Sequence, residues 1–221
     1  VSDETLKARL RATQEKQLDK LGVEGRWLVL GDKSGSMQNS IEASRMIAGT
    51  LARMVKQQVV LCFFDTMPRA LDVTGKTYEE VQEITKHVAA GGGTACGVGL
   101  AAAAEHGLEV DGIAIVSDGE EMSAPYFADA YQRYATRIGK EPPVYFYKLP
   151  GGQDKLTGNM QRAGLDMQVF DLCGARVDYY SLPNLVATMN TRRYGLVEQI
   201  METPLLTLDK VFEIENKQGE V

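Results

Sequence analysis

Apolar and polar positions alternate along this chain in blocks. Continuous apolar runs occur at RWLVLGD (26–32), QVVLCFFD (58–65), GIAIVSD (112–118), PVYFYKL (143–149) and MQVFDLC (167–173). Runs of this length read as strands buried on both faces. Between them the period changes. Residues 40–56 place Ile41, Ala48, Leu51, Ala52 and Val55 in helical register. A helix over 77–89 is expected from Thr77 as N-cap with Glu80 three residues on, and Gly91, Gly92 and Gly93 break it. The Ala-rich stretch 96–107 predicts a helix thin enough to lie close against a sheet. Another is expected over 124–138, with Ser123 as cap and Pro125 in the first turn. A short helix is expected over 153–163. RALDVT (69–74) predicts an antiparallel strand at the sheet edge, VDYYSL (177–182) a further strand, and 184–201 a closing helix.

Strands alternating with helices imply βαβ units. The expected class is α/β, a doubly wound, mostly parallel six-stranded sheet with helices on both faces. Residues 1–25 carry Leu6, Leu10, Leu18 and Leu21 among dense charges and predict an amphipathic helical extension. The main domain is expected over 26–201 and a tail over 202–221. The chain opens with Val rather than Met, which predicts a fragment of a longer chain or a trimmed one.

In such sheets ligands bind in the crevice outside the strand carboxyl ends, where the runs ending in Asp32 and Asp118 place both carboxylates. Asp32, Lys33, Ser34, Gly35 and Ser36 alternate, and residues two apart in an extended segment face one side, so Asp32, Ser34 and Ser36 converge while Lys33 is expected to face solvent. Thr94 follows the glycine run, which frees its loop to reach the same rim. Two carboxylates and three hydroxyls form an all-oxygen set suited to a hard cation such as Mg²⁺. Four carboxylates would make a closed, calcium-type cage. Two leave the ion electrophilic, with a position open for a partner's oxygen.

Composition narrows the partners. The chain has 221 residues, 44% hydrophobic and 24% charged, ordinary for a globular protein. Its net charge of −6 disfavours direct nucleic-acid contact, and the basic spot Arg192, Arg193, Tyr194 is too small to reverse that. No run approaches the ~20 apolar residues that span a bilayer. Cys62, Cys96 and Cys173 form no close pair, which favours a reducing compartment. Cys62 and Cys173 read as buried hydrophobes, and Cys96, although at a helix start where thiol pKa can fall, is expected to be unreactive. Glu120 and Glu121 read as a solvated loop. His87 and His106 lie on separate elements and make no zinc site. GDKSGS lacks the spacing of a phosphate loop, and GGGTACGVG that of a dinucleotide fingerprint.

Asp32-x-Ser34-x-Ser36, Thr94 after a glycine run, and Asp118-Gly119 after an apolar strand resemble the von Willebrand factor A domain family over about residues 26–190. The resemblance implies a Rossmann-like fold and a metal-ion-dependent adhesion site formed by Asp32, Ser34, Ser36, Thr94 and Asp118. Mg²⁺ is the usual ion, with Mn²⁺ or Ca²⁺ as alternatives, and a partner Asp or Glu completes the coordination. Ala95 departs from the Asp that many relatives carry after the threonine, and Gly31 and Lys33 replace apolar residues. The expectation is a non-enzymatic, cation-dependent protein-binding module of a larger cytoplasmic protein. The alternative is the corresponding portion of a Ro-like ribonucleoprotein component whose RNA-binding region lies upstream. A phosphohydrolase of the haloacid-dehalogenase type would need a carboxylate where Ser34 stands.

Overall fold

A computed structural model describes residues 24–172. The strands are β1 (Arg26–Asp32), β2 (Gln58–Phe64), β3 (Pro68–Asp72), β4 (Gly112–Ser117), β5 (Val144–Lys148) and β6 (Gln168–Asp171). The helices are α1 (Gln38–Met54), α2 (Tyr78–Thr85), α3 (Val98–Glu105), α4 (Phe127–Ile138) and α5 (Leu156–Arg162). The expected strand over 177–182, the helix over 184–201, the tail, and the leader short of its last two residues lie outside the described residues. So do Cys173 and the Arg192–Arg193–Tyr194 spot.

The six strands form one sheet in the order β3-β2-β1-β4-β5-β6, parallel throughout except that β3 runs antiparallel to β2 at the edge. β1 and β4 are central, and β4 is buried along its whole length. That explains their unbroken apolar runs: each has a helical layer on both faces. α3, α4 and α5 close over one face, where Leu30, Cys62, Phe64, Ile115 and Phe146 meet Leu100, Phe127, Tyr134 and Met160. α1 covers the other face against β1 and β2, with α2 packed on it. Fully burying a side chain such as Leu30 or Phe146 contributes about 1.5–3 kcal/mol.

The small residues of α3 have the expected use. A Cβ on Gly99 would fall 2.7 Å from Leu30 Cδ2 and 3.1 Å from Cys62 Sγ, so the helix rests directly on the sheet. α2 carries the expected capping box: Glu80 N–H donates to Thr77 Oγ1 at 3.2 Å and Thr77 N–H to Glu80 Oε2 at 2.7 Å. Arg45 ties α2 to α1 from a buried position, donating from Nε to Thr85 Oγ1 and from Nη2 to the Thr85 carbonyl, both at 2.7 Å.

α4 corrects the sequence expectation. It starts at Phe127, three residues past the expected 124, and Pro125 precedes it. Ser123 does not cap it, because its hydroxyl donates to the Thr94 carbonyl at 3.2 Å. The capping role passes to Glu121, whose Oε1 accepts from Phe127 N–H at 2.7 Å. A carboxylate from upstream satisfies one of the orphan donors of the first turn.

Candidate functional site

The strand order reverses between β1 and β4. From β1 the chain builds outward through β2 to β3, then returns to lay β4, β5 and β6 on the other side. This is the switch point where doubly wound sheets leave a crevice. Asp32 ends β1 on one side of it, and Asp118 follows β4 on the other.

Parallel register pairs Gly31 with Val116, which brings the next residues, Asp32 and Ser117, level across the crevice. The fully buried Ser117 hydroxyl donates to Asp32 Oδ2 at 2.6 Å and accepts from Gly119 N–H at 3.0 Å. Asp32 Oδ1 accepts from Ser34 N–H at 2.8 Å, an Asx-type turn that folds the loop back on its own carboxylate. Burial pushes the Asp32 carboxyl up from its ordinary range. Hydrogen bonds from Ser117 and Ser34 oppose that shift, and the nearby Asp118 charge adds to it. Such a group is relieved by a neighbouring cation.

Asp118 is held from the far side. Its Oδ1 accepts from Glu120 N–H at 3.0 Å, and its Oδ2 from Gly152 N–H, in the loop after β5, at 2.8 Å. The loop that carries Thr94 is tied to the same rim through its backbone. Gly91 N–H donates to the Lys33 carbonyl at 2.7 Å, and Gly35 N–H to the Gly92 carbonyl at 3.2 Å. The Thr94 carbonyl takes Met122 N–H at 3.1 Å and Ser123 N–H at 3.0 Å, which stitches its loop to the segment after Asp118. Asp32, Ser34, Thr94 and Asp118 are all buried, whereas Ser36 is exposed at the outer end of its turn.

Lys33 does not face solvent as expected. It is mostly buried and pairs with Asp65, just past the end of β2. Burial raises the Asp65 carboxyl, but the Lys33 hydrogen bond and the Met67 N–H outweigh it and hold it below its ordinary range. The Asp65 carbonyl accepts from Ala95 N–H at 2.9 Å. The pair therefore neutralises a third rim carboxylate and joins the Asp32 loop to the Thr94 loop.

Glu121 also departs from expectation. It is 2% exposed, with Oε2 accepting from Asn159 Nδ2 at 2.6 Å in addition to the helix cap. Burial raises its carboxyl, the hydrogen bonds lower it, and the charges of Asp129 and Asp154 raise it further. It is a buried strut rather than a solvated charge. Cys96 is buried too, and burial together with the Glu121, Asp32 and Asp118 charges pushes its thiol up, consistent with an unreactive role.

Among the described residues, no three His, Cys, Asp or Glu side chains cluster as metal ligands. A cation at this rim must therefore draw on hydroxyls as well as Asp32 and Asp118, and that mixed oxygen set fits a hard divalent ion. Sequence reasoning missed Ser117, Asp65 and the strut role of Glu121. Ser117 carries a signal in retrospect: a serine ending an apolar strand, one residue before the rim carboxylate.

Chains of known structure share this order of strands and helices at low identity. A von Willebrand factor type A protein from Catenulispora acidiphila superposes with a TM-score of 0.55, at 16% identity over 76% of this chain and 42% of that one. The fold is that of a von Willebrand factor A domain. The RO (RSR) protein of Deinococcus radiodurans matches this von Willebrand A fold with a TM-score of 0.51, at 19% identity over 75% of this chain and 34% of that one. An aerotolerance-related membrane protein of Bacteroides fragilis matches it with a TM-score of 0.52, at 16% identity over 77% of this chain and 100% of that one. This chain thus spans less than half the length of the first two. No family model matches the sequence. No curated protein matches it either. Among the described residues, no helix of this von Willebrand A fold is long and apolar enough to cross a membrane.

Proposed function

We propose that this chain is a non-catalytic protein-binding module that docks an acidic residue of its partner through a divalent cation. Asp32, Ser34, Ser36, Thr94 and Asp118 would hold the ion, with Mg²⁺ the natural choice for hard oxygen donors. The observation that carries this reading is the convergence of a buried Asp32 and a buried Asp118 on the two sides of the crevice at the switch point. The ion would supply positive charge and open coordination for the partner's carboxylate. The protein's own residues do the rest. Ser117 and the Ser34 N–H orient Asp32, and the Glu120 and Gly152 N–H groups orient Asp118. The glycine loop, bonded to the Asp32 loop through Gly91 and Gly92, would bring in Thr94, and Ser36, exposed, would complete the set from the outer side.

Calorimetric titration of Mg²⁺ and Mn²⁺ into the wild type and Asp118→Ala tests this. Weak heats are expected for the wild type, tightened by a peptide carrying a single Asp, and none for the variant. Equal heats from both proteins would refute the assignment.

A further inference from the structure

Large apolar side chains are exposed at only a few described positions: Met67 at 69%, Met122 at 64%, Tyr126 at 39% and Val169 at 36%. Two of the four, Met122 and Tyr126, stand on the segment that follows Asp118, and Met67 stands on the neighbouring turn after β2, two residues beyond Asp65. Met122 donates its N–H to the Thr94 carbonyl, and the Tyr126 backbone leads into α4. Among the described residues, water-exposed methionines beside a polar cluster mark a contact surface.

Met122 and Tyr126 also line a groove of about 570 Å³ with Glu121, Asp129, Lys155, Asn159 and Arg162, in which the buried Glu121 carboxylate is engaged by Phe127 N–H and Asn159 Nδ2. Two exposed cations stand in it. Lys155 Nζ lies 3.5 Å from the Glu121 carbonyl, and Arg162 Nε donates to the Gly158 carbonyl at 3.2 Å and its Nη2 to Asn159 Oδ1, all neutral oxygens. The groove's exposed acid, Asp129, sits in the first turn of α4, where the helix dipole favours its charge. Among the described residues, neither Lys155 nor Arg162 is paired with a carboxylate, so an incoming anion can meet both. The chain as a whole carries −6, so attraction for an acidic partner has to be local.

We propose that the partner is an extended segment with two acids separated by an apolar residue. Its first carboxylate meets the oxygen cluster, its apolar side chain covers Met122 and Tyr126, and its second carboxylate reaches Lys155 and Arg162. This rests on the cation-dependent reading for the first contact and adds two contacts that need no ion. Methionine supplies an adaptable apolar wall, and the tyrosine a rigid one. The two lysine and arginine heads select charge at the far end.

The test is an array of short Gly/Ser peptides with one Asp, a Leu or Phe at each successive later position, and a second Asp beyond it. Binding is read by fluorescence anisotropy with Mg²⁺ and with EDTA. The expected result is a set of spacings that bind about tenfold or more tighter than the same peptides with Ser for Leu. Met122→Ser with Tyr126→Ser removes that gain while the calorimetric Mg²⁺ heat is unchanged. Lys155→Glu with Arg162→Glu removes the gain from the second Asp alone. The proposal is overturned if no spacing improves on the single-Asp parent, if no peptide binds, or if the double variants retain the gains. A parent peptide that binds Asp-dependently while indifferent to flanking residues sinks only this inference, whereas binding unaffected by EDTA sinks the cation-dependent reading.

Discussion

Replacing Ser117 by Ala probes how the rim is held. The side chain is fully buried, and its hydroxyl performs two tasks: it donates to Asp32 Oδ2 at 2.6 Å and accepts from Gly119 N–H at 3.0 Å. Alanine removes both. A hydrogen bond to a charged group contributes about 1.5–3 kcal/mol, and a stranded buried donor costs about 1–3 kcal/mol. The two share one cluster and do not simply add. Asp32 keeps the Ser34 N–H, so the expected loss is ~2–5 kcal/mol. At a urea slope of about 1–3 kcal/mol per molar, the midpoint falls by about 0.7 M or more. Trp27 is the chain's single tryptophan, 4% exposed in β1 and paired with Gly112 of β4. Its fluorescence therefore reports the two strands whose ends Ser117 bridges. Repeating the substitution in an Asp32→Asn background isolates the charged part of the bond, and the cost should shrink there. A loss under ~0.5 kcal/mol, or an identical loss in both backgrounds, would refute the reasoning.

Lys33→Met frees Asp65 at the rim and removes a cation. On the cation-dependent reading, Mg²⁺ binds more tightly by calorimetry while a single-Asp peptide binds less tightly, and parallel changes in both would contradict it. Asp111 is raised by burial, but the Lys140 pair and the Arg26 N–H bond at 2.7 Å outweigh this and hold its carboxyl below the ordinary value. A depressed carboxylate stabilises the fold above its unfolded value and loses that contribution as pH falls through its folded one. Urea midpoints from pH 5 downward should therefore fall less steeply in Asp111→Asn than in the wild type.

Much of the fold was legible in the sequence, because the clearest signals were those of burial. β1, β2, β4 and β5 appear as unbroken apolar runs since each is covered on both faces, and short-range hydrophobic pattern alone encodes that. The α2 cap was readable because Thr77 and Glu80 bond to each other over three residues. The α4 start was not, because Glu121 satisfies Phe127 N–H from six residues upstream while Ser123, the obvious local candidate, turns to the Thr94 carbonyl. Residue type and position put Asp32 and Asp118 at strand ends and Thr94 after a glycine run; the structure buries these three with Ser34 and leaves Ser36 exposed.

What the linear order determined, then, is which segments are strands, which are helices, and which turns carry oxygen. Only the tertiary structure decided the pairing of partners far apart in sequence. The β1–β4 register sets Ser117 against Asp32 across 85 residues, and the adjacent β2 end offers Asp65 to Lys33 across 32. Whether a side chain on this rim faces water, an ion pair or a helix end depends on strand neighbours that no local window contains. That is why Lys33 and Glu121 looked solvated in sequence, while in the fold Lys33 is ion-paired and mostly buried and Glu121 is buried.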